Sequence, residues 1–225
     1  MSTAAAAINW ERIGPALWDA TLETLYMCAA AMGVAVLVGV PLGVLLLLTA
    51  PDGLTPRKGV AAVLGAVVNV GRSVPFIVLL VLVAPVTRLV TGTTIGSTAT
   101  IVPLSIAAVP FMARLVEASL REVHPGKVEA ARAMGASTGQ IVRSVLLPEA
   151  RPGLIAAGTV TLIALISYSA MAGAIGGGGL GDFAIRYGYQ RFDTAVTLMC
   201  VVVLLVMVQA LQSAGDRWAR RAAHR

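Results

Sequence analysis

Charge is scarce in this chain: only 12% of its 225 residues are Asp, Glu, Lys or Arg, while 57% are hydrophobic. A soluble domain carries about a quarter of its residues charged, and a mean hydropathy of +0.85 excludes that class. Histidine is nearly absent. His124 and His224 stand far apart with no second ligand at helical spacing, so no metal site is expected. The two cysteines, Cys28 and Cys200, fall inside apolar runs and read as packing thiols rather than a disulfide or a metal pair. A phosphate loop is missing too. The one Gly-Lys pair, Gly126-Lys127, is followed by Val128 instead of Ser or Thr, and Arg121 stands where the first glycine belongs. The glycines from Gly176 to Gly179 have no strand before them and read as an external turn or a contact for a partner. No catalytic constellation is found, and no enzyme activity is expected on this chain. The early run Ala4 to Ile8 is followed by Trp10, Glu11, Arg12 and Asp19 rather than by a small-residue cleavage site, and is not read as a cleaved signal.

What the chain has instead is long apolar runs, and a membrane-spanning helix needs about 20 such residues to cross roughly 30 Å of hydrocarbon. Five qualify, at about 22–48, 74–89, 95–115, 154–175 and 195–211, all within one transmembrane domain, 1–225. The second is ambiguous because Asn69, Gly71 and Arg72 interrupt the run that starts at Val60. An arginine at mid-bilayer costs at least about 2.5 kcal/mol, which places Arg72 near an interface and starts the span at Val74. Val60 to Val70 would then lie against the membrane or pack on other helices. Pro41, Pro103 and Pro110 each remove a backbone donor, so kinks are expected there. Small residues four apart, Ala29 with Gly33 and Gly39 with Gly43, would let backbones approach. Trp10, Trp18, Tyr26 and Trp218 read as interfacial anchors or as scattered aromatics.

The net charge of +6 is spread over short loops and a tail, which makes it a topology signal rather than a nucleic-acid face. With the N-terminus outside, the inner segments hold eleven basic residues: Arg57, Lys58, Arg121, Lys127, Arg132, Arg143, Arg151, Arg217, Arg220, Arg221 and Arg225. The outer segments hold four, Arg12, Arg88, Arg186 and Arg191, with Arg72 and Arg114 set aside near span ends. Positive charge favours the cytoplasmic side, so the N-terminus is expected outside and the C-terminus in the cytoplasm.

The longest polar stretch, about 121–151, therefore lies inside, and it is built as two short helices. Pro125 suits a first helical position, Val128 to Met134 favours helix, and Gly135 stands where a left-handed residue ends one. Ser137 and Gln140 form a capping-box pattern ahead of a second helix that Pro148 follows. Ala130, Ala131 and Met134 offer a small apolar surface for docking.

Here the residues carry a resemblance. Glu129-Ala130-Ala131, then Gly135, then Val145-Leu146-Leu147-Pro148 is similar to the EAA loop of ABC importer permeases, with valine where isoleucine is usual. Further segments, Arg72 to Ile77, Ala131 to Ala136, Gly139 to Arg143, Tyr168 to Met171 and Gly178 to Gly181, resemble the permease subunits of methionine ABC importers. The resemblance implies an all-α, five-span membrane protein of the type I importer fold. It implies a homodimer in the bacterial inner membrane, two cytosolic ABC ATPase subunits, and an external substrate-binding lipoprotein. This chain would carry no cofactor, with ATP and Mg on the partner ATPase, and nucleic acid is not expected. Glu129, Ala130, Ala131, Met134, Gly135, Leu147 and Pro148 would couple to the ATPase. Ser167, Tyr168, Ser169 and Met171 fall within about one helical turn, where they would line a substrate path or make interhelical hydrogen bonds at a packed interface. The substrate is expected to be methionine, or else another amino acid or small osmolyte. A secondary transporter would need ionisable groups in mid-span and repeated halves, neither of which is found. A membrane scaffold would not need the loop pattern around Glu129.

Overall fold

The computed structural model describes residues 10–223. Ala4 to Ile8, His224 and Arg225 lie outside the described residues, as do the side chains of Trp10 and Arg12. The described chain is helical throughout. A first rod joins α1 (Trp10–Val34) to α2 (Val40–Thr49) through a wide turn at Ala35–Gly39. Pro41 explains the turn: it has no N–H for the carbonyl four residues back, and a wider helical turn absorbs the missing bond. The apolar part, Ile13–Thr49, is 37 residues long. At 1.5 Å per residue this is about 55 Å, well beyond one bilayer core, so the rod either tilts or projects from the membrane.

The second span departs from the sequence expectation of one helix over 74–89 in being broken again at Val83. α3 (Lys58–Ser73) and α4 (Phe76–Leu82) meet at 105°, and α5 (Ala84–Thr91) follows after Val83. Val74 is extended (φ −76°, ψ 122°), the conformation imposed on a residue preceding proline, and Pro75 then starts α4. Arg72 is exposed in the last turn of α3, next to this bend.

α6 (Ser97–Arg121) is the central helix and runs through Pro103 and Pro110. In its most apolar window 61% of residues are buried, against 11% for α12 (Thr194–Ala223), so α6 faces protein and α12 mainly faces outward. Gly39 and Gly43 are why the first rod lies so close to α6. A Cβ at Gly43 would sit 2.6 Å from the Ala113 carbonyl oxygen, and one at Gly39 3.0 Å from that of Val109. Ala29 and Gly33, the other small pair, are exposed, and a Cβ at Gly33 would meet nothing within 4 Å. The fourth long helix is α10 (Arg151–Gly173). Among the described residues four helices are thus long and apolar enough to span, and the bent α3–α4 pair makes a fifth if counted as one. Cys28 and Cys200 are both buried and free, packed in separate apolar clusters.

Candidate functional site

The segment between α6 and α10 folds into a compact elbow. His124 caps α7 (Pro125–Ala133), its Nδ1 accepting from the Gly126 N–H at 3.1 Å, with Pro125 at the first helical position. At the other end, Gly135 has φ 81°. Its N–H donates to the Arg132 carbonyl at 3.0 Å and the Ala136 N–H donates to that of Ala131 at 3.1 Å. These paired bonds are the Schellman closure, which needs a left-handed residue at this position. α8 (Thr138–Ile141) opens with a complete capping box: the Ser137 hydroxyl accepts from the Gln140 N–H, and Gln140 Oε1 accepts from the Ser137 N–H at 2.8 Å. A wide turn at Val142–Leu146 then leads into α9 (Leu147–Glu149), again just ahead of a proline, Pro148. Lys127 and Glu149 close the elbow with a 2.5 Å ion pair.

The docking surface expected from sequence is corrected in one residue. Ala131 is buried, packed with Ile141 and Leu146 in the main core, because its side of α7 faces α8. Glu129, Ala130 and Gly135 are exposed, and Met134 is 82% exposed at the tip. Leu147 and Pro148 are half-buried at the foot of α10. The exposed apolar tip is therefore Ala130, Ala133 and Met134, standing on Ala131.

An ion network that the sequence reading missed fixes the elbow's root. Glu117 is buried in α6 and accepts from Arg114 at 2.6 Å and from Arg121 at 3.0 Å. Arg121 also reaches Asp52, in the turn between α2 and α3, at 2.8 Å. A lone buried carboxylate costs several kcal/mol, so two arginines one turn away on either side are what permit it. The spacing 114, 117, 121 on one helix face was the readable signal. Asp52 is held below the ordinary carboxylate value, first by its own backbone N–H and then by Arg121.

The four candidate path residues do not share one face. Ser167 and Met171, four apart, lie on the exposed side of α10. Tyr168 stacks on Phe76 of α4, with ring centroids 4.7 Å apart, and so pins α10 to the bent span. Ser169 turns inward, is buried, and donates to the Ile166 carbonyl at 2.8 Å.

At the opposite end of α10 the glycine turn is an internal joint. Gly177, Gly178 and Gly179 are buried, and the last two have φ of 76° and 73°. Glu23 of α1 accepts from the Gly179 N–H at 2.7 Å, and the Thr24 hydroxyl accepts from that of Leu180 at 2.9 Å. The Gly96 N–H donates to the Gly176 carbonyl, and the Thr100 hydroxyl to that of Gly177. The turn thus binds α1, α6 and α10 to α11 (Gly179–Phe183), leaving no exposed glycine surface for a partner at these three positions. Beyond it Arg186 pairs with buried Asp182, Tyr187 stacks on Phe183, and Arg191 lies over the Tyr187 ring. Tyr189 is 76% exposed.

The chain is similar to known proteins along most of its length. The family described as binding-protein-dependent transport system inner membrane component matches residues 39–224. A probable D-methionine transport system permease protein of Vibrio cholerae is 56% identical over 209 residues, covering 93% of this chain and 93% of its own length. A methionine import system permease protein of Bacillus subtilis is 48% identical over 200 residues, covering 89% and 90%. Among solved structures, one of inward-facing conformations of a methionine ABC transporter has a TM-score of 0.92 at 46% identity, covering 94% of this chain and 98% of that one. An amino acid ABC transporter structure, at 23% identity and a TM-score of 0.78, shares the fold.

Proposed function

This chain belongs to the family of binding-protein-dependent transport system inner membrane components, and we propose that its elbow is where a separate ATPase drives it. The protein is a multi-pass membrane permease of an ABC importer, and its substrate is methionine. One observation carries the coupling reading. A short helix, closed at both ends by its own hydrogen bonds, presents an apolar tip at Met134 while its root is fixed between two long helices.

The mechanism follows from that geometry. Glu129, Ala130, Met134 and Gly135 meet a cleft on a cytosolic ATPase, with Ala131 as the packed base of the tip. Leu147 and Pro148 pass displacement into α10, and the Glu117 network passes it into α6 and the α2–α3 turn. ATP and Mg belong to the ATPase, and this chain supplies no hydrolytic group. Two copies of this chain rock against each other as two ATPases close, a shear of packed elements. Ser167 and Met171, on the exposed side of α10, border the substrate path, while Tyr168 and Ser169 position that helix against α4 and its own turn. An external binding lipoprotein delivers methionine at the end bearing Tyr189, with the N-terminus outside and the C-terminus in the cytoplasm of a bacterium.

The test is uptake of labelled methionine by the reconstituted complex. Met134→Glu is expected to insert normally, yet to lose both copurifying ATPase and transport. Unchanged ATPase capture and uptake in that variant would remove the elbow from the coupling path.

A further inference from the structure

Between the first rod, α6, α10 and α12 lies an open groove of about 540 Å³ that the transport reading does not use. Its walls are apolar: Val36 on the rod, Met112 on α6, Leu154 and Leu162 on α10, and Leu211 on α12. Small residues keep the groove from filling. Gly158 faces Met32, whose terminal methyl would be 3.4 Å from a Cβ there, and Gly215 lies so near Thr159 that α10 and α12 touch at that level. Thr159 is a polar side chain within the lining, its hydroxyl donating to the Ile155 carbonyl at 2.9 Å, and charge is confined to one end. Arg151, the first residue of α10, lines the mouth together with Trp218.

Length and charge select the occupant. From Arg151 to Leu162 is eleven residues along one helix, about 16 Å of rise, which matches the hydrocarbon depth of one leaflet. An indole beside the mouth belongs at the headgroup level, where one face is apolar and one edge is wet. On α12 the lining residues Leu211, Ala214, Gly215 and Trp218 form one stripe, and the next position on it is the exposed Arg221. The acids nearest in sequence on these elements are engaged elsewhere: Glu149 with Lys127 and Asp216 with Gln212. Arg151 forms no ion pair among the described residues.

We propose that this groove is a binding site for an anionic phospholipid, one acyl chain lying along α10 and the phosphate held by Arg151 with Arg221 close by. The site rests on the membrane reading of the chain but not on the ATPase-coupling reading. A guanidinium at the mouth forks onto phosphate oxygens, and an apolar groove about one leaflet deep takes the chain. The bound lipid would wedge α12 against α10 at the end where the elbow begins.

The experiment is native mass spectrometry of the purified permease–ATPase complex, released from vesicles of equal phosphatidylglycerol and phosphatidylethanolamine, without nucleotide. Wild type is expected to retain phosphatidylglycerol preferentially. Arg151→Gln should lower that preference about fivefold, the loss of one cationic contact near a lipid surface. Gly158→Leu, which fills the groove, should reduce retention of both lipids. If Arg151→Gln keeps the wild-type preference, or wild type shows none, the site is overturned, whether or not Gly158→Leu folds. The ATPase remains bound or absent independently of lipid count, so failure here is distinct from failure of the coupling reading.

Discussion

The two ends of α10 differ in how far their hydrogen bonds reach. At the elbow end, α7 and α8 make their own caps: His124 for Gly126, Gly135 and Ala136 for Arg132 and Ala131, Ser137 with Gln140. At the glycine end Gly176 and Gly177 close the helix onto Gly173 and Ala172, and further bonds then reach across the fold, to Glu23 and Thr24 of α1, to Gly96 just before α6 and to Thr100 within it. One end is a self-supporting module with an exposed tip, and the other is a joint shared by several helices. A lever driven at one end and clamped at the other has this distribution of bonds.

The largest expected effect tests the clamp. A Cβ at Gly173 would lie 2.2 Å from the Asp182 backbone nitrogen, so Gly173→Val should destabilise the protein by about 3 kcal/mol and sharply cut the monodisperse fraction in size-exclusion profiles. Next, the elbow should separate folding from work. Gly135→Val forces a β-branched residue to φ 81°, a local strain of about 1–2 kcal/mol. Insertion should survive while uptake in proteoliposomes is lost; normal uptake would erase the functional difference between the two ends. A milder cut at the clamp is Glu23→Gln, which keeps a bond to the Gly179 N–H but removes the charge. It should cost about 1 kcal/mol, which reads as roughly 2–4 °C in Tm for a chain of this size. At the elbow, Ser137→Ala removes one half of the capping box and should cost about 0.5–1 kcal/mol, seen as faster amide exchange confined to 138–141 and not at the glycine turn.

The smallest effect is acidic. Asp52 has its pKa lowered in the folded protein, so its contribution is fully present above the unfolded value of about 3.9 and is lost as pH falls below it. Asp52→Asn should therefore lower stability slightly at neutral pH, measured by thermal unfolding, with the difference from wild type shrinking as pH falls below about 4.

Much of this contrast was legible in the sequence, and unevenly so. Caps are local, so Pro125, Gly135, Ser137 and Gln140 announced the elbow's helices from spacing alone. Burial is not local: that Ala131 faces inward depends on where α8 folds back, which no window of neighbours reveals. The glycine turn was recognised as a turn, but its bonds span 156 residues to Glu23 and Thr24, and only the packed helices bring these together. The interruption before Val74 is legible from Asn69, Gly71 and Arg72, whereas the 105° angle and the second break at Val83 depend on packing that the sequence pattern does not carry. Glu117 is not legible as buried from sequence, because its burial depends on Arg114 and Arg121 folding back onto it.

The wide turn at Ala35–Gly39 carries a consequence for how the first rod keeps its alignment. Buried positions there recur four apart, Ala31, Ala35, Gly39 and Gly43, a spacing that in a uniform α-helix would wander about 40° around the axis at each step. The extra residue held in the turn cancels that drift and keeps all four on α6. Deleting one residue between 35 and 39 would leave hydropathy and composition almost untouched, yet swing everything upstream by about 100°. Met27 would then face hydrocarbon, and Glu23 would be carried away from Gly179. The rod's two halves are thus kept in phase by a count of one.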